Sequence, residues 1–474
     1  MSPFEVSRNS EWIGCIDFGT AMSKVALARR RPRMQLQDAD IVPLAIGDPD
    51  RKSAGNPLLL PSVVFITKDG LLFGQEALSA ALRGERLRRQ PFSSPKQYLS
   101  THDLEELDEP LEMDIDPTGS YTARDLLVLF LAHLLVRADR AATVAAVPWP
   151  VPLRIARPAW AAERAVAGEA TLQAMVLRAF AIAGELAGEL MVPKGINHSL
   201  ARWWLSKVTA DKSFDDPFAF AHVFEPSPSG NASVLEATAV AAGSIRDTGR
   251  RVVAIADIGG GTADFGAFMT GLPGHDVLAE IQGSSRILRE AGDYLDMLLT
   301  NHVLRKAGID PLASAGRGAA NRLRMRQRAN KEVLFSDGEV SIELGDDIRM
   351  VNQKEFLSDP HVQDFSERLR SKFHETLKAA VKCARQHPQP DGRPTQVEIL
   401  LTGGGHGLPM VKELMTKPSV PWNYVAASPE LVAKDPDLEV VHRQLAVAIG
   451  GAVRDLPRET AVVRVSTSCS SGLH

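Results

Sequence analysis

Two stretches of this chain share one grammar. Residues 252–268 read VVAIADIGGGTADFGAF, and residues 12–28 read WIGCIDFGTAMSKVALA. Each is an apolar, strand-like run that ends in an acid (Asp257 or Asp17), turns back through glycine and threonine, and resumes as a second strand-like run. Glycine adopts backbone conformations that other residues resist and lets a ligand approach the main chain. N–H groups freed in such a turn form an anion-binding concavity. The threonine hydroxyl adds a donor. An acid beside a phosphate pocket would repel the phosphate, and Mg2+ removes the conflict by bridging carboxylates to phosphates through oxygen and water. Two such hairpins across a cleft would hold Mg2+ and a polyphosphate between Asp17 and Asp257. Either hairpin alone also reads as an ordinary β-turn. Two acids flanking a glycine triplet, as in residues 257–264, argue against that plainer reading.

The hairpins are too far apart for a solenoid repeat. They predict two similar halves that face each other. A length of 474 residues suggests about three domains or subdomains. The 54 basic and 58 acidic side chains nearly cancel, which argues against bulk attraction to nucleic acid or a membrane surface. Three cysteines, Cys15, Cys383 and Cys469, cannot make a disulfide framework and fit a reducing cytoplasm. The first residues, MSPFEVSRNSEW, contain no apolar core of a signal peptide. The run LLVLFLAHLLV from Leu126 is too short to span a bilayer and reads as a core helix capped by Thr122. A cytoplasmic protein without a membrane partner is the expectation.

Along the chain, LPSVVFITKDGLLFG reads as two strands joined at Lys68, Asp69 and Gly70, and ATVAAVPWPVP as a strand stopped by prolines. Residues 160–206 read as largely helical and residues 211–233 as partly loop. VLEATAVAAGSI reads as a small-residue helix, and helices are expected from about 284 to 335 and from 361 to 386. RGAANRLRMRQRANK reads as the solvated face of a helix, so a nucleic-acid surface there is not expected. A third glycine cluster, ILLTGGGHGLPMVKEL, has a strand entering and a helix leaving, a place where backbone can approach a nucleoside or phosphate. Neither G-x-x-x-x-G-K-[ST] nor G-x-G-x-x-G occurs.

In this order the pieces resemble the nucleotide-binding domain of the DnaK-type heat-shock protein 70 family, in the actin-like ATPase superfamily. IGCIDFGTAMSKVALA is similar to its first phosphate loop and ADIGGGTADFGAF to its second. SPKQYLS, EATAVAAGS, GDYLD, ANKEVLFS, LLTGGGHGLPMVKEL and LAVAIGGAV resemble, in turn, its lysine segment, first connecting helix, post-loop segment, adenine-side helix, adenosine loop and second connecting helix. The resemblance covers about residues 10–457. It implies an α/β fold with two similar, RNase H-like lobes around a nucleotide cleft: residues 10–247, residues 248–457 and a tail at 458–474. It implies that Asp17 and Asp257 hold hydrated Mg2+ and that Thr20 and Thr262 contact phosphate. Lys96 would sit by the γ-phosphate, Glu236 would position water or the metal shell, and Asp264 would complete the second loop. Gly19, Gly259, Gly260, Gly261, Gly292, Lys331, Gly403, Gly404 and Gly405 would line the ATP site. Small residues of the connecting helices, among them Gly243, Ala446 and Gly450, would let the helices cross closely as a hinge.

The chain departs from the family pattern at three positions. Gly407 stands where a basic residue stacks on adenine, Arg328 where an acid is expected, and Ala237 where a proline follows the connecting-helix glutamate. Residues 155–233 exceed the family core. No substrate-binding β-domain follows residue 457, so the chain is not expected to hold unfolded clients alone. The expectation is an ATP- and ADP-binding, slowly hydrolysing, chaperone-like switch that works with a separate partner protein. A filament-forming actin relative and, less favoured, a metabolite kinase are the alternatives.

Overall fold

A computed structural model describes residues 6–457, except residues 8, 48–55, 84–88, 158, 159, 161, 217, 229, 231, 247, 248, 272–277, 312, 345, 346 and 430–435. The tail at 458–474 lies outside the described residues. The protein is mixed α/β, with several sheets and, among the described residues, twelve α-helices.

The two acid-ended runs form hairpins at the centres of two separate sheets. In the first, Trp12–Asp17 pairs antiparallel with Met22–Arg29 and parallel with Leu153–Ala156. Ile41–Pro43 and Ser233–Val234 flank them. In the second, Arg251–Ile258 pairs antiparallel with Ala263–Thr270 and parallel with Val397–Thr402, flanked by Ala279–Glu280 and Tyr424–Ala426. Numbered in chain order within each half, both sheets run 3-2-1-4-5, with the same strand senses. Strand 1 of each is buried almost end to end, which accounts for its near-continuous apolar sequence.

Each sheet has its own core, and a third, alanine-rich core lies between them. That third core surrounds two helices, Glu236–Ser244 and Pro436–Ala452. The first leaves the first sheet and packs on the second, while the second follows the second sheet and packs back on the first. They cross on glycine. A Cβ on Gly243 would lie 2.8 Å from Cα of Gly450, and one on Gly450 would lie 1.7 Å from the Ala239 carbonyl oxygen. Beyond the crossing, the buried Arg154 guanidinium donates to the carbonyl oxygens of Gly451 and Val453, satisfying the end of the helix.

The strand read before the prolines lies elsewhere. Helix Ala123–Val144 takes the start of that run, Ala145 and Ala146 turn out of it, and the strand is Leu153–Ala156, beyond Pro152. Proline has no N–H for a sheet ladder, so pairing begins only where the prolines end. Thr122 caps that helix, accepting from the Asp125 N–H. Residues 162–210 add two helices, Ala162–Leu190 and His198–Ala210, to the first half, and residues 211–233 are mostly turns and short 3-10 segments. Among the described residues, one helix, Glu163–Leu190, is long and apolar enough to cross a membrane by length and composition. It packs along Ala123–Val144.

The crossing makes a sharp stability prediction. Gly450→Ala overfills it and should cost at least about 1–3 kcal/mol. Gly188→Ala, in a helix where a Cβ meets nothing within 4 Å, should be neutral or stabilising. Chemical denaturation of the two variants checks the contrast; equal stabilities would show that the crossing relaxes freely.

Candidate functional site

The geometry of the two hairpins brings their acids together. Asp17 ends its strand opposite Lys24, and Asp257 ends its strand opposite Asp264. The loops beyond them touch: a Cβ on Gly261 would lie 2.7 Å from Thr20 Oγ1, and one on Gly260 would lie 3.1 Å from the Ala21 Cβ. The second loop is also tied to the start of helix Gly292–Ala307, because the Gly292 and Asp293 N–H groups donate to the carbonyl oxygens of Gly259 and Gly260. The third glycine cluster closes against the second hairpin. Gly403 has φ of 80°, and a Cβ there would lie 2.3 Å from the Ile258 carbonyl oxygen, so only glycine fits.

These loops surround a cavity of ≈ 340 Å³, within the range of small-molecule sites. Asp17, Gly19, Thr20, Glu236, Asp257, Gly259, Gly260, Thr262, Gly292, Lys331, Gly403, Gly404 and Gly405 all line it. Lys96 and Asp264 stand behind, around a small adjoining void that Thr20, Thr262 and Glu236 share. Gly261 packs beneath Thr20 instead of lining the cavity. Lys331 is held by the Gly292 carbonyl oxygen at 2.8 Å and by Asp296 at 2.9 Å. Gly407 leaves open space where a side chain could stand, and Arg328 turns to Glu332 at 2.9 Å.

The electrostatics follow from burial. Asp17, Lys96, Glu236, Asp257 and Asp264 are all buried. Lys24 reaches Asp17 at 2.7 Å, Lys96 reaches it at 3.6 Å, and Lys96 also donates to Glu236. Burial pushes the Asp17 carboxyl up, but the two ammonium groups outweigh it and hold the group below its usual range. Burial alone would lower Lys96, but Glu236 and Asp17 hold it above its ordinary value. Asp257 is pushed up to about 7 by burial and by the neighbouring Glu236, against a 2.8 Å hydrogen bond donated by Thr402. Asp264 is pushed well above the carboxylate range by burial and Glu236, and its Oδ2 has no hydrogen-bond partner.

Four carboxyl groups therefore face two ammonium groups, and the two acids without a direct ion pair, Asp257 and Asp264, are the two pushed up. That donor set fits a divalent cation. Among the described residues, no three His, Cys, Asp or Glu side chains form a metal cage of their own. Mg2+ does not need one, because it takes one or two carboxylates and completes its shell with water and phosphate oxygens. Asp257 and Asp17 both line the cavity, and Asp17 is ion-paired to Lys24 and Lys96.

Sequence reasoning missed Lys24, Thr402, Asp293 and Phe335. Lys24 occupies in the first hairpin the register position that Asp264 occupies in the second, so the repeat that located the acids also marked it. Thr402 meets Asp257 through pairing of strands far apart in sequence. Phe335 lines the cavity from the helix that carries Arg328, Lys331 and Glu332. No local signal marked these last two.

No protein-family model matches the chain, and no curated protein is significantly similar to it.

The orphaned Asp264 gives a pH prediction. A carboxyl whose folded pKa is raised stabilises the fold only while it keeps its proton, so its contribution is lost as pH rises above the ordinary carboxylate range. Asp264→Asn stays neutral throughout and should be more stable than the unmutated chain at pH 8, by about 1–3 kcal/mol. The gap should close toward pH 5. Urea unfolding at both pH values, without added metal, measures it; a gap that widens on acidification would contradict the assignment.

Proposed function

We propose that this chain is a nucleotide switch of the actin-like ATPase type, similar to the ATPase half of DnaK-type chaperones, that binds ATP and hydrolyses it slowly. One observation carries the reading. Two sheets of identical strand order each present a central acid-ended hairpin, with its glycine-threonine loop, to the same cavity. The N–H groups of the two loops and the third glycine cluster are the phosphate cradle. Lys24 supplies positive charge beside Asp17. Lys96, pinned between Asp17 and Glu236, holds a fixed positive charge where negative charge builds up during transfer. Bound Mg2+ would supply charge neutralisation at the phosphates, held by Asp257 and Asp17. Glu236, bonded to Lys96, holds that ammonium in place and lines the void where an attacking water would sit.

Because the hairpins belong to different halves, only a closed arrangement lets both touch one ligand. ATP and ADP then shift the equilibrium by their differential affinity for closed and open forms. The glycine crossing is the natural pivot. A switch of this kind needs something to act on, and we assign that role to a separate partner protein. Among the described residues, the thiols of Cys15 and Cys383 are free and buried, which suits a reducing cytoplasm.

The test is ATP binding and turnover with and without Mg2+. Asp257→Ala should lower turnover by about 10²–10³-fold, the usual cost of removing a preorganised charge-stabilising group. Unchanged turnover in that variant would sink the two-carboxylate site.

A further inference from the structure

The loop before Lys96 contains an unusual residue. Ser94 has φ of 54° and ψ of 48°, the left-handed region, although it is not glycine. Such backbone costs on the order of 1 kcal/mol or more and persists only where the surroundings impose it. Pro95 follows, and a following proline ordinarily favours extended backbone. Ser94 is also the N-cap of helix Pro95–Thr101, a position where a serine hydroxyl normally accepts from the first turn. Here the side chain makes no capping bond. Its hydroxyl donates instead to Asp293 Oδ2, at 2.9 Å, across the cleft. Asp293 in turn donates its N–H to the Gly260 carbonyl oxygen of the second phosphate loop, at 2.8 Å.

The geometry points to Ser94 as the positioning residue for Lys96: it gives up its own helix cap to strap the lysine-bearing turn to the second loop. Lys96 is the second residue of that helix. Its ammonium sits between Glu236 and Asp17, both in the first half of the chain before the second hairpin. Lys96 faces Thr262 and Asp264 of the second hairpin only across a small void, with no direct bond to either. The strap adds a bonded path, tying the lysine-bearing turn to Asp293 and through it to Gly260. The strap is not what keeps the halves together. Met325, from the second half, packs on the apolar cluster of Val63, Phe65, Ala77 and Ala81 in the first, and the crossing helices remain. Loss of Ser94 should therefore misaim Lys96 in a chain that still closes. Ser94 and Asp293 both line a second, larger cavity of ≈ 880 Å³ that adjoins the first at Thr20, so there is room for the turn to move.

This inference rests on the nucleotide reading for its catalytic consequence but not for its geometry, and the experiment separates the two. Ser94→Gly is the informative variant, because glycine accepts left-handed backbone, so the hydroxymethyl group is lost without added backbone strain. It should lower single-turnover ATP hydrolysis by about 10–100-fold, as expected for a misplaced catalytic group, while ATP affinity changes far less. Asp293→Asn keeps an acceptor and should lose less turnover than Asp293→Ala. Asp293→Ala should match Ser94→Gly, and the double variant should be no worse than either single one. Additive losses, or full turnover in Ser94→Gly, would overturn the proposal. A second readout needs no nucleotide. Acetylation of the buried Lys96 by acetic anhydride, followed by mass spectrometry, should be faster in Ser94→Gly than in the unmutated chain, at unchanged melting temperature. An unchanged Lys96 rate overturns the strap whatever the ligand. An unmutated chain that binds no ATP, but in which Ser94→Gly still exposes Lys96, overturns the nucleotide reading alone.

Discussion

Everything at the site depends on how closely two helices approach. Glu236–Ser244 and Pro436–Ala452 cross with Gly243 against Gly450, where neither position has room for a methyl group. Each helix comes from one sheet and packs on the other. Their separation therefore sets the distance between the sheets, and so between the two hairpins at the sheet centres. Larger residues at the crossing would push the acids apart and open the contact between Thr20 and Gly261. The first connecting helix also begins at Glu236, so the same packing that sets the spacing delivers a carboxylate to the cavity.

The second dependence is electrostatic. Burying Asp17, Glu236, Asp257 and Asp264 together opposes folding, because desolvation and the nearby carboxylates push Asp257 and Asp264 up. Lys24 and Lys96 offset part of this, and both are committed to the Asp17 side. The Asp257 side is left short of positive charge. A site that is strained in this way when empty gains most from a ligand that brings cations and takes up N–H donors, so binding and stability are linked.

The hairpins, the small-residue helices and the glycine cluster at residues 403–405 were legible because each is a local pattern: an acid at the end of an apolar run, or a glycine where a chain must turn. The strand near residue 150 was misplaced because alanine and valine suit both helix and strand, and the deciding contact, pairing of Leu153–Ala156 with Trp12–Asp17, is remote in sequence. Thr402 and Phe335 had no local signal for the same reason. Lys24 did have one, in the register of its own hairpin.

The amino-acid sequence by itself determined which residues carry charge at strand ends, where the chain turns on glycine, and that two halves share one design. These depend on backbone sterics and hydrophobic periodicity within a few residues. Only the tertiary structure decided which charges meet, that Asp17 is ion-paired to two lysines while Asp257 and Asp264 are pushed up by burial, and that Ser94 turns from its own helix to Asp293. Those outcomes depend on burial and on distances of a few ångströms between segments far apart in the chain. Coulomb energy and desolvation change steeply over such distances, and no local pattern records them.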